Sequence, residues 1–149
     1  MSWTGGAVAV ALGAGVAGAV QVAVMGRFGE RIGTLEALAF TTVLGALIAT
    51  GLLLVVRRSL DGYGDGLGAA PKWLWLGAAI GVFVVASITL AAPEIGTTAT
   101  VALLIAGQLG AALAIDRFGW FGVDRVSLTW FRILGVVLLV AGAALTLRR

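Results

Sequence analysis

The chain has 149 residues, 60% hydrophobic and 11% charged, against about 45–50% and 25% in an ordinary soluble domain, so it reads as an integral membrane protein. It has no cysteine and no histidine, which excludes disulfides, thiol nucleophiles, zinc sites of the usual kind and histidine acid–base chemistry, and no cofactor or metal is implied. Its net charge of +3 sits mostly on arginines at helix ends, so no nucleic-acid partner is indicated.

The first uncharged run, Met1 to Gly26, lacks the basic start of a signal peptide and is longer than its apolar region. It predicts a transmembrane helix over 4–25. Ala9, Gly13, Ala17 and Gln21 recur every four residues on one face, so Gln21 ends a small-residue packing ridge. Its amide either bonds to a second helix or meets a substrate. Arg27–Gly33 reads as a short charged turn. Thr34 then suits an N-cap, with Glu36 in the first turn facing the positive end of the dipole, and a second span follows over 35–56. Gly45 and Ala49 give that span a close-packing pair, and Thr41 and Thr42 can bond back to helix carbonyls.

Arg57 and Arg58 close the second span. The segment from Ser59 to Lys72 reads as the longest, turn-rich loop, and its glycines lack the Lys-Ser/Thr ending of a phosphate-binding loop. The third span, 72–92, opens with Trp73 and Trp75, which mark the headgroup level or line a substrate vestibule. Gly77 and Gly81 form a GxxxG packing pair, and Ser87 lies deeper. Ala92-Pro93-Glu94 predicts a break, with the proline in the first turn of a fourth span over 94–115 and the two spans an antiparallel hairpin. Glu94, the one acid between two hydrophobic runs, is either an interfacial cap or a proton-coupling candidate.

The stretch from Ile95 to Ile115 is 21 uncharged residues, roughly 30 Å of helix and the thickness of a hydrocarbon core. Ala102, Ala106, Gly110 and Ala114 form its packing ridge. Thr97 and Gln108 stand eleven residues apart, within about 20° of one face, and form a separate polar stripe. Asp116–Arg125 alternates aromatics with glycine as an interfacial turn, with Asp116 beside Arg117 as an ion pair. The last span is expected over 127–147. Arg132 inside it can snorkel to the headgroups, and Gly135 and Gly142 share a packing face. Arg148 and Arg149 end the chain at the opposite surface.

The expected architecture is therefore one all-α transmembrane domain over 1–149 with five transmembrane helices. Five crossings put Arg57, Arg58, Lys72, Arg117, Arg125 and Arg132 on one side and Arg27, Arg31, Arg148 and Arg149 on the other. Six cations against four is a weak positive-inside bias, which lets the chain insert both ways round. Two opposed copies would form a ten-helix antiparallel dimer with the inverted-repeat symmetry of single-chain transporters, whose substrate site lies near the midplane. No span holds a pair of acids, so an intramembrane enzyme has no nucleophile or metal site, and the chain is read as a non-enzyme.

Trp73-Leu-Trp75-Leu-Gly-Ala-Ala-Ile-Gly81, Ala92-Pro93-Glu-Ile-Gly96, Ala106-Gly107-Gln108-Leu109 and Ile115-Asp116-Arg-Phe-Gly119 resemble the YdcZ-type family, a five-helix, half-length branch of the drug/metabolite transporter superfamily. The resemblance covers nearly the whole chain. It implies transport across a cell (inner or plasma) membrane by antiparallel pairs, either of one dual-topology chain or of two homologues. The family often has Asn four residues after the glutamine that ends the first helix; here Met25 follows Gln21. No carboxylate stands midway along the first helix, so the proton exchange of the small multidrug exporters does not carry over. The reading is a secondary transporter, an exporter of a small polar or amphipathic molecule, working by alternating access. Gln21, Trp73, Trp75, Ser87, Thr97 and Gln108 are the substrate-binding candidates. Amides and hydroxyls both donate and accept, which suits neutral or zwitterionic ligands. The alternatives are a non-transporting structural or regulatory membrane subunit, or a passive channel.

Overall fold

The computed structural model describes residues 3–60 and 63–147, so Arg148, Arg149 and the Asp61–Gly62 pair of the expected loop lie outside the described residues. Of the described residues 88% are helical, and no strand occurs among them. The helices are α1 (Trp3–Ile32), α2 (Thr34–Arg57), α3 (Tyr63–Ala69), α4 (Leu76–Ile95), α5 (Thr97–Phe118) and α6 (Trp130–Thr146), with 3₁₀ turns at Lys72–Trp75 and Trp120–Gly122. Gly5–Ile32, Thr34–Arg57, Lys72–Ile95 and Thr97–Phe118 are long and apolar enough to cross a membrane, and Trp130–Thr146 is a shorter apolar helix.

Four expected boundaries move. Arg27–Gly33 is not a turn: α1 continues to Ile32, its charges on the solvent face, where Arg27 Nη1 and Glu30 Oε2 pair at 3.3 Å. Gly33, not Thr34, is the N-cap of α2, and the Glu36 side chain folds back against it. Pro93 does not break α4. It lies in the last turn, where it costs the bond to the Thr89 carbonyl, while Gly96 N–H still closes onto Ala92 O at 3.0 Å. The last span, α6, starts at Trp130 rather than residue 127, because Val126 N–H donates to Asp116 O at 2.9 Å and the backbone is extended at the N-cap, Thr129. Within the expected turn-rich loop, Tyr63–Ala69 is helical. Glycine carries a propensity cost there but no steric bar to the α conformation.

The chain forms two compact units, Met25–Leu90 and a second made of Met1–Val24 with Ala91–Arg149. In the first, α1 and α4 approach through Gly29, where an added Cβ would stand 2.5 Å from Thr89 Cγ2. Thr89 is 1% exposed and satisfies its hydroxyl on Val85 O at 2.8 Å, a bond within its own helix. Thr42 likewise bonds back to Leu38 O, but Thr41 does not: its hydroxyl donates to Met25 Sδ at 3.2 Å, joining α2 to α1. Phe28 and Phe40 meet edge to face at 5.5 Å, and Ala37 is fully buried. In the second unit α5 packs along α6. Asp116 pairs with Arg132 at 3.4 Å rather than with Arg117, because the chain returns across the end of α5 and brings the start of α6 beside it. Gly119 caps α5 in the left-handed region, and Phe118 stacks on Trp120 at 5.2 Å.

Candidate functional site

The candidate residues divide between the two units. Gln21, Glu94, Thr97 and Gln108 belong to one; Trp73, Trp75 and Ser87 belong to the other. On α5 the helix is continuous from Thr97 to Phe118, so Thr97 and Gln108 share a face, about 16 Å apart along the axis. One small headgroup cannot touch both, and the stripe they define is half a membrane long. Gln108 is exposed and Thr97, the first residue of α5, is half-buried. On α1, Gln21 is exposed, with Ala17 and Gly13 exposed one and two turns before it.

Trp73 and Trp75 lie in the 3₁₀ turn that leads into α4, 47% and 60% exposed. The turn is set by Pro71, whose carbonyl accepts from Leu74 N–H at 3.0 Å. Ser87 is half-buried, and its hydroxyl donates to Phe83 O at 2.8 Å. Its one proton is thereby occupied, which leaves only acceptor capacity toward a ligand. Glu94 is exposed in the last turn of α4.

The glycines chosen for helix packing have open space around them. A Cβ at Gly13, Gly77, Gly81, Gly110, Gly135 or Gly142 would meet nothing within 4 Å, while Ala106 is half-buried. Close approach occurs instead at Gly29, with Thr89 and Thr100 as buried polar residues. Sequence reading missed these three. Gly29 lies in a charged stretch that reads as a turn, and the threonines sit in apolar runs that periodicity treats as lipid-facing. Among the described residues no group of three acidic, histidine or cysteine side chains gathers as a metal site.

The family model described as "Putative inner membrane exporter, YdcZ" matches residues 6–145. The chain belongs to the YdcZ family. The Inner membrane protein YdcZ of Escherichia coli (strain K12) is 29% identical over 139 residues, which cover 93% of this chain and 92% of that one. No solved structure matches the chain. The family's description is of exporters, a transport class rather than an enzyme class, and this member is a multi-pass inner-membrane protein.

Proposed function

We propose that this YdcZ-family chain is half of a secondary transporter, and that two copies inserted in opposite directions enclose one pathway and export a small polar or amphipathic molecule by alternating access. The observation that carries the reading is the openness of the glycine faces. Gly13, Gly77, Gly81, Gly110 and Gly142 are exposed on apolar helices, and a Cβ added at any of them would meet nothing within 4 Å. In a lipid environment small-residue faces are used for close backbone approach, and a second copy provides the helices that this chain does not. The exposed amides of Gln21 and Gln108 then face a partner or a ligand rather than acyl chains, where an unsatisfied amide is costly.

The pair is held by those glycine faces, Ala17, Ala106 and Gly135, and the pathway is lined by Gln21, Gln108, Thr97, Ser87, Trp73 and Trp75. Glu94, exposed at the end of α4, is the coupling group if protons drive the cycle.

The test joins topology to flux. A C-terminal tag on the purified protein in proteoliposomes is scored for protease access, and uptake of a panel of fluorescent amphipathic solutes is read in the same vesicles. The expected result is a mixture of protected and accessible tags with saturable uptake that Gln108→Ala weakens. A single orientation in a monodisperse monomer refutes the dimer. Saturable uptake unaffected by Gln108→Ala removes that residue from the pathway.

A further inference from the structure

Two helix junctions in this chain are built alike. α1 and α2 meet across one residue, Gly33, and α4 and α5 meet across one residue, Gly96. Gly33 has φ 99° and ψ 150°, and Gly96 has φ 83° and ψ 158°. That region is open essentially to glycine alone. At Gly96 an added Cβ would meet nothing within 4 Å, so the backbone angle, not crowding, demands the glycine. The hydrogen bonds also match. Gly33 N–H donates to Gly29 O at 2.9 Å and Ala37 N–H to Gly33 O at 3.0 Å, while Gly96 N–H donates to Ala92 O at 3.0 Å and Thr100 N–H to Gly96 O at 3.1 Å. The residues match too: Ile32-Gly33-Thr34 and Ile95-Gly96-Thr97.

The likeness extends outward from the glycines. With Gly33 set on Gly96, buried Met25 falls on buried Ile88, buried Gly26 on buried Thr89, and buried Ala37 on buried Thr100. Every buried residue described in α1, α2, α4 and α5 lies within about three helical turns of the nearer glycine. Each compact unit holds one junction.

We propose that α1–α2 and α4–α5 are two copies of one hairpin, and that Gly33 and Gly96 are the paired pivots on which the transport cycle turns; this rests on the transporter reading above. A one-residue connection confines bending between two hydrogen-bonded rods to two dihedrals. Glycine moves through left-handed space without the steric penalty of a Cβ. The arms themselves are stiffened where they leave the pivot. Thr100 Oγ1 donates to Gly96 O at 2.8 Å beside its own N–H bond, and the Glu36 side chain folds back on Gly33.

The test needs no substrate. The chain has no native cysteine, so Ala49→Cys on α2 and Ala112→Cys on α5, equivalent exposed positions, serve as single reporters for a membrane-impermeant maleimide in nanodiscs. Gly33→Ala is made in the Ala112→Cys chain and Gly96→Ala in the Ala49→Cys chain, with Gly15→Ala, an exposed helical glycine in open space and off the small-residue ridge of α1, as control. Each pivot substitution is expected to change labelling on the other hairpin by about fivefold or more, the lower end of ordinary coupling between sites. Labelling changed only on the substituted hairpin, or not at all, overturns the pairing. If either variant does not fold, hydrogen exchange of the unsubstituted protein decides. The four junction amides of Gly33, Ala37, Gly96 and Thr100 are expected to exchange in two matched pairs, and a difference of more than about tenfold between the pairs overturns the proposal. Flux is read separately: cross-talk without flux refutes transport and keeps the paired hinge, whereas flux without cross-talk refutes the hinge and keeps transport.

Discussion

Gly29→Ala tests the close approach of α1 and α4. The new Cβ would stand 2.5 Å from Thr89 Cγ2, and carbon atoms rest at about 3.5–4.0 Å, so roughly 1 Å of relief is needed. Thr89 cannot swing its methyl aside cheaply. It is 1% exposed, and rotation about χ1 breaks the 2.8 Å bond from its hydroxyl to Val85 O. Overpacking of this kind costs about 1–3 kcal/mol. Alanine returns about 0.8–1 kcal/mol in helix propensity, so the single substitution is expected to destabilise by about 0–2 kcal/mol. That range is too close to zero to decide the matter alone, and a double-mutant cycle does decide it. Thr89→Ser removes the offending methyl and keeps the hydroxyl bond, at a cost near 1 kcal/mol for a buried methyl group. The two changes together remove the clash, so they should be coupled favourably by about 1–3 kcal/mol. The four proteins are compared by melting in detergent, followed through the five tryptophans. Coupling below about 0.5 kcal/mol, the additivity limit for independent sites, would show that Gly29 and Thr89 do not press on each other.

Gly119→Ala should destabilise the α5–α6 connection by about 1–3 kcal/mol, since Gly119 sits at φ 68° with Val123 O at 3.2 Å from an added Cβ; Gly119→Asn should cost less, because asparagine tolerates the left-handed region. A melting point unchanged by the alanine would refute that account. Asp116→Asn should cost less than about 1 kcal/mol, because its 3.4 Å pair with Arg132 is partly exposed, and the difference from the unsubstituted protein should vanish in roughly 1 M salt. A salt-independent loss of several kcal/mol would mean that Asp116 holds something other than Arg132.

Much of the helical layout was legible in the residues. The second span was expected over 35–56 and is Thr34–Arg57, because an acid at its start and arginines at its end bracket an uninterrupted apolar run. The first span was cut short because Arg27, Glu30 and Arg31 look like a loop. A helix accepts them when its outer face is wet and Arg27 can pair with Glu30 one turn on. Pro93 misled for the opposite reason: one lost bond inside a last turn is cheaper than a break, and the stop belongs to Gly96, whose angle no pattern of hydrophobicity reveals. The shared face of Thr97 and Gln108 was legible in their eleven-residue spacing along one helix. The state of Ser87 was not, since only geometry shows that its proton is taken by Phe83 O.

The last helix, α6, is shorter than the four candidate spans. At 17 residues α6 is about 25 Å long, some 5 Å less than a typical acyl layer. The extended segment before it cannot make up the shortfall, since its backbone groups would be stranded among hydrocarbon tails. If α6 crosses the membrane, the surrounding leaflets thin or its flanking residues snorkel, at a fraction of a kcal/mol for each ångström of mismatch. Short-chain lipids relieve that stress and long-chain lipids increase it, so acyl length itself becomes a lever on how α6 seats against α5.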